Sequence, residues 1–235
     1  MVVAKPAHLH STIGADPTVP SVAAWLIERD PNQRGIGDRN TEGGLVHRLD
    51  YETSGVLIAA KTRSAWLALR AAIQDGRVEK SYLVILEGIL KDPMAVENFI
   101  GSPHRRGVKV RAYDTLPAHG RALPARSLFA PCASSPTLDL TLARVTAHTA
   151  RRHQVRIHAR TIGHPLCGDS LYGSTRALAD LVTRSSGPAV PRFFLHAEAA
   201  TFNHPVSDAR LRLVAPTPEF VTETFRAGGS GVLPT

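Results

Sequence analysis

Apolar positions along this chain follow two different periods, and the alternation between them predicts its elements. Val22, Trp25 and Leu26 recur at helical spacing in PSVAAWLIERD (20–30), with Pro20 near the start. Trp66, Leu69 and Ile73 do the same in RSAWLALRAAIQDG (63–76), where Thr62 can cap the helix and Gly76 can end it. Unbroken apolar runs predict fully buried strands at SGVLIAAKT (54–62) and KSYLVILEGIL (80–90). In PTLDLTLARVTA (136–147), Leu138, Leu140 and Leu142 alternate with polar residues, which predicts a half-buried strand. MVVAKP predicts a short strand ended by Pro6, and AVENFIGSP (95–103) and GVKVRAY (107–113) predict β segments flanking a basic turn. RRHQVRIHARTIG (151–163) reads as a helix stopped by Gly163, followed by strands at PRFFLHAEAATFNHP (191–205) and LRLVAP (211–216). TPEFVTETFRAGG (217–229) closes the pattern as an amphipathic helix before a frayed tail. Most neighbouring strands are joined by turns rather than helices, so the class is α+β with a mixed, mainly antiparallel sheet. No Pro- or Ser-rich linker interrupts the chain, so a single domain over 1–227 with a flexible tail at 228–235 is expected.

Length and composition set bounds on this picture. A chain of 235 residues with 43% hydrophobic content can bury a sizeable core. Its apolar runs are far too short to span a bilayer, and MVVAKPAHLH lacks a signal-peptide core, so a cytoplasmic protein is expected. Cys132 and Cys167 have no metal-ligand spacing and read as ordinary thiols. A net charge of +8 favours a polyanionic partner, nucleic acid before others. The polar, Gly-rich loop at 31–44 is long enough to suspect function or disorder.

Three clusters could hold chemistry. Asp50 ends the basic step His47-Arg48 and precedes a buried strand; alone, such an aspartate is usually a turn-former. Arg152, Arg156 and Arg160 fall four apart and would share one helix face, a repulsive stripe without an anionic partner. His153 and His158 are five apart and do not face each other, which argues against a metal pair. Tyr82 opens the strand at 80–90, where a buried phenol needs a partner.

Five blocks resemble, in order, those of the RluA-type pseudouridine synthases: VVAKPAHLHS, HRLDYETSGVLIAAKT, KSYLVILEG, TARRHQVRIHARTIGHPLCGDSLYG and LHAEAATFNHP. The resemblance implies the pseudouridine synthase catalytic fold, a sheet in two lobes with flanking helices and a central cleft. It implies isomerisation of uridine in structured RNA, ribosomal or transfer, without cofactor or metal. Asp50 is then the catalytic carboxylate. A carboxylate with a reference pKa of ~3.9 is ionised at neutral pH, and can attack the sugar C1′ or remove a sugar proton; both routes stay open. Arg156 is implied to pair with Asp50, Tyr82 to stack on the extruded base and help remove its C5 proton, and Arg48 to contact RNA beside it. His47, Arg151, Arg152 and His153 join the implied RNA-contacting set. Arg105, Arg106, Lys109 and Arg111 loosely resemble the family's basic hairpin. His8, Ala150 and Arg152 depart from the family's usual residues, glycine at the first two, and a catalytic domain without a small S4-like domain is expected. A monomer is the default expectation. The rival reading is an idle RNA-binding or ribosome-assembly protein on the same fold; a glycosidase would need a second carboxylate.

Overall fold

The computed structural model describes residues 1–103, 107, 109–118, 121–182, 189–226 and 230–231. Along the chain run β1 (Val2–Lys5), α1 (Val22–Arg29), β2 (Ser54–Ile58), α2 (Arg63–Gln74), β3 (Glu79–Glu87), β4 (Met94–Gly101), β5 (Arg111–Tyr113), β6 (Ala122–Ser135), β7 (Leu140–Ala147), α3 (Gln154–Thr161), β8 (Leu195–Asn203), β9 (Arg210–Val214), α4 (Glu219–Arg226) and β10 (Ser230–Gly231). Helix α2 starts where its predicted cap places it, with Thr62 accepting from the Ala65 N–H, and α1 starts just after Pro20, capped by Ser21, which accepts from the Ala24 N–H. Among the described residues no helix is long and apolar enough to cross a membrane. The pairs β1–β2, β4–β5, β4–β6, β6–β7, β8–β9 and β6–β10 are antiparallel and β2–β8 is parallel, so the class is α+β with a mixed, mostly antiparallel sheet.

The chain divides into two compact units. Unit one holds Met1–Lys80 and His196–Pro216. Its strands order β1-β2-β8-β9, with Lys5 opposite Gly55 and Gly55 opposite Ala197. Helix α2 buries Trp66, Leu69 and Ala72 against Val56, Ile58, Ala200 and Phe202. The Trp66 indole satisfies its N–H on the Leu45 carbonyl at 3.0 Å, so the large ring is buried without an orphan donor.

Unit two holds Ser81–Leu195 and Thr217–Thr235. Its strands order β3-β7-β6-β4-β5, with β10 on β6. One face of β3, Val84 and Leu86, packs with Val155 and Ala159 of α3; the other, Leu83 and Ile85, packs with Val221 and Phe225 of α4. Cover on both faces explains the continuous apolar run in this strand.

Several expectations are corrected. Strand β7 is not half-buried: Ala143 and Val145 face α3 while Leu140 and Leu142 face α4, and Thr141 is buried with its hydroxyl donating to the Gly88 carbonyl. Helix α3 begins at Gln154, because His153 adopts a left-handed φ of 53°. Arg152 therefore precedes the helix, and the expected arginine stripe does not form. The strand at 107–113 shortens to Arg111–Tyr113. Ser230 and Gly231, expected in a frayed tail, pair with Ser134 and Ala133.

Candidate active site

In unit one, Asp50 lies at a turn held from several sides. The Thr53 N–H donates to the Asp50 carbonyl at 3.1 Å, closing the turn. Before it, the Leu49 backbone is pinned twice by one hydroxyl: Ser11 Oγ donates to the Leu49 carbonyl at 2.7 Å and accepts from its N–H at 2.9 Å. After it, Ser54 Oγ lies 2.8 Å from His196 Nδ1. His196 Nε2 faces the Ala215 carbonyl at 3.3 Å, so Nε2 bears the proton and Nδ1 accepts from Ser54. Gly55 is required there: at its φ of +114° a Cβ would stand 2.3 Å from the Ala197 carbonyl oxygen.

Beneath the turn is Lys5, only 1% exposed. Its ammonium donates to the carbonyls of Pro6 at 2.9 Å, Leu9 at 2.6 Å and Tyr51 at 3.4 Å. Burial pulls its pKa down to about 8, against the opposing pull of the Asp50 and Glu52 carboxylates. This buried cation, which residue type alone marks as a surface group, ties the first strand to the carbonyl next to Asp50. His8, a departure from the family's glycine, adopts the left-handed φ of 60° that a glycine there would supply. Its N–H donates to the Tyr51 carbonyl at 2.8 Å, and its Nε2 is 3.1 Å from Glu52 Oε2.

His47 is not part of a charged step. Its Nε2 accepts from the Ile58 N–H at 3.2 Å, and its pKa falls to about 3, first through burial and then through Lys80 and Arg70. The imidazole retains some surface, but the nitrogen that would take the proton is turned inward and occupied. Arg48, by contrast, is exposed.

In unit two, Arg156 is 5% exposed and forms a two-pronged pair with Asp169, Nε to Oδ2 at 2.6 Å and Nη2 to Oδ1 at 2.8 Å. Its guanidinium lies over the rings of Phe193 at 4.4 Å and Tyr172 at 5.1 Å. Gln154 organises the approach to α3, accepting from Thr149 Oγ1 and the Arg151 N–H and donating to the Arg126 carbonyl. Tyr172 accepts from the Val110 N–H at 3.1 Å and lies 2.8 Å from His153 Nδ1; burial pushes its pKa up. The motif's glycine at 168 is forced, since a Cβ would fall 1.7 Å from the Arg192 carbonyl oxygen. Ala150 does not adopt a positive φ, so the absence of the family's glycine there entails no backbone strain.

Around this core unit two gathers other expected contacts. Arg151 Nε donates to the Pro124 carbonyl at 2.9 Å and Arg152 Nη2 to that of Gly107 at 2.6 Å, while Lys109 lies over Tyr172 at 5.7 Å. Arg111 is exposed on β5, and Tyr82 is half-buried on β3. Arg105 and Arg106 lie outside the described residues. Among the described residues no group of three His, Cys, Asp or Glu side chains is placed to hold a metal.

The family model described as RNA pseudouridylate synthase matches residues 1–161. The chain is 32% identical over 232 residues to ribosomal large subunit pseudouridine synthase D of Xylella fastidiosa, covering 96% of this chain and 66% of that protein. It is 31% identical over 182 residues to an uncharacterized RNA pseudouridine synthase of Bacillus subtilis, covering 77% of this chain and 58% of that protein. The chain thus spans less than two thirds of the length of these curated relatives. Its fold is similar to that of human RNA pseudouridylate synthase domain containing 1, with a TM-score of 0.68 at 23% identity, covering 100% of this chain and 86% of that one. By this match and by the five motif blocks, the chain belongs to the RNA pseudouridylate synthase family.

Proposed function

We propose that the protein isomerises uridine to pseudouridine within structured RNA, ribosomal or transfer; the names of its relatives indicate RNA pseudouridine synthesis for them and, for one, the large ribosomal subunit. The observation that supports this most is the Asp50 turn, where a carboxylate stands beside an exposed arginine on a backbone fixed by Lys5, Ser11 and Ser54. In the reaction the bond from uracil N1 to C1′ breaks, the base turns, and a bond from C5 to C1′ forms. The C5 proton leaves to solvent and N1 gains one, so the product is an isomer. Asp50 initiates this at the sugar, by attack on C1′ or by proton removal. Tyr82 stacks on the turned base and assists loss of the C5 proton. Arg156 serves the same reaction as a fixed cation, and Arg48 grips RNA beside the extruded nucleotide with Arg151, Arg152, His153, Lys109 and Arg111. Residues 1–227 work as one catalytic domain, in the cytoplasm and as a monomer, without cofactor.

RNA tritiated at uridine C5 tests this directly. The wild type is expected to release tritium to water from RNA of a strain lacking the protein, and Asp50→Asn to release none. Absence of release by the wild type, with RNA binding intact, favours the idle RNA-binding alternative.

A further inference from the structure

The loop at 31–44, suspected above for its length, walls a pocket of about 460 Å³ in unit one, in the size range of small-ligand sites. Charged groups in its lining are Asp38, Arg39, Glu42, Arg48 and Arg70. Their pairing is unequal. Asp38 Oδ1 accepts from Arg63 Nη2 at 2.9 Å, and Glu42 Oε2 accepts from the Asp38 N–H at 3.0 Å. Arg70 is engaged with the Val46 carbonyl at 3.2 Å and lies over Trp66 at 5.4 Å. Arg39 and Arg48 are exposed, and among the described residues neither guanidinium makes a hydrogen bond or ion pair. Asp38 is thus compensated by Arg63 while Glu42 stands against Arg39, Arg48 and Arg70, so the lining keeps a net positive charge and the pocket is poised for an anion.

From this imbalance we infer that the pocket is a phosphate–ribose subsite for the nucleotide flanking the target uridine. The inference rests on the proposed reaction for its substrate. Arg48 is two residues from Asp50, so their Cα atoms lie at most ~7 Å apart and the lining adjoins the backbone that bears the carboxylate. That is the neighbourhood of the next nucleotide on the same strand. Of the two aromatic rings in the lining, Trp66 is only 3% exposed and His47 is half-buried with Nε2 held by the Ile58 N–H, so neither is an exposed platform on which a base could stack. The pocket therefore grips the backbone and tolerates any base.

Equilibrium binding of the full chain to a mixed-sequence single-stranded oligoribonucleotide, followed across salt concentration, tests this. Arg39→Ala is expected to weaken binding roughly threefold to tenfold and to reduce the slope of log K against log salt by about 0.7. Asp38→Asn removes a carboxylate from the lining and is expected to tighten binding, a gain that structural damage would not produce. If both variants keep the wild-type affinity and slope while the wild type releases tritium, the pocket assignment falls and the enzymatic reading stands. If binding depends on Arg39 but the wild type releases no tritium, the enzymatic reading falls and the phosphate site stands.

Discussion

Asp50 occupies a turn whose backbone is fixed by other residues: Ser11 holds Leu49, Lys5 and His8 hold the Tyr51 carbonyl, and Ser54 is anchored on His196. Arg156 is held differently. Its own guanidinium is the structural part, buried, doubly hydrogen-bonded to a fully buried Asp169 and set over two aromatic rings. In the first region the functional side chain rides on a scaffold; in the second it is the scaffold. The two proposed catalytic residues therefore give different signatures when changed, and loss of activity alone is a poor guide to the role of Arg156.

Arg156→Met should produce the largest loss of stability. It leaves the Asp169 carboxylate, 0% exposed, without its cation, which costs about 3–5 kcal/mol. For a chain of this size that lowers Tm on the order of 10 °C. Adding Asp169→Leu is expected to recover part of this in thermal unfolding without restoring tritium release. Asp50→Asn is expected to abolish release at less than half that stability cost. If Asp50→Asn unfolds as early as Arg156→Met, the contrast between scaffolded and scaffolding residue is wrong.

Lys5→Met sharpens the same contrast from the other side. The carbonyls of Pro6, Leu9 and Tyr51 lose their shared donor, at a cost of about 1–3 kcal/mol. Because Tyr51 adjoins Asp50, kcat should fall by a larger factor than KM rises. An unchanged kcat with reduced stability would make Lys5 a fold residue only.

Each unit also contains a histidine kept neutral. His47 has a pKa near 3 and His158 near 4, both lowered chiefly by burial. The unfolded chain takes up these protons near pH 6.5, and the folded chain only well below that, so unfolding binds protons across the interval. Stability should thus be full above about pH 6.5 and decline as pH falls toward 4, by about 2 kcal/mol for each histidine at pH 5. Urea midpoints at pH 7 and 5 measure this, and His158→Leu should flatten the profile. A profile that stays as steep in that variant would assign the acid sensitivity to other groups.

The sequence made the two early helices and the run of β3 legible because caps and periodicity are local. Strand β6 was missed although it is the longest. Pro124 and Pro131 mark it as a poor strand, yet Pro131 falls where the register with β7 shifts, so its missing N–H disrupts no regular ladder. Site residues were visible through their motif, but their partners were not. Residue type shows that Arg156 is cationic; only packing shows that Asp169 accepts two of its hydrogen bonds. The basic step at 47–48 misled for the same reason, since nothing local shows that His47 turns its nitrogen onto β2.

The smallest expected effect concerns Thr53, which closes the Asp50 turn through its backbone. Its side chain is 2% exposed, and Oγ1 has no hydrogen-bond partner among the described residues. A buried hydroxyl without a partner costs stability, and valine fills the same shape without it. Thr53→Val should therefore raise stability by up to about 1 kcal/mol, a Tm gain of roughly 2 °C. Tritium release should slow only severalfold, because the backbone hydrogen bond that shapes the turn is untouched. A fall in Tm would mean that the hydroxyl is paired in the folded protein. Then the turn would depend on its own side chains after all, and the difference between the Asp50 and Arg156 regions would narrow.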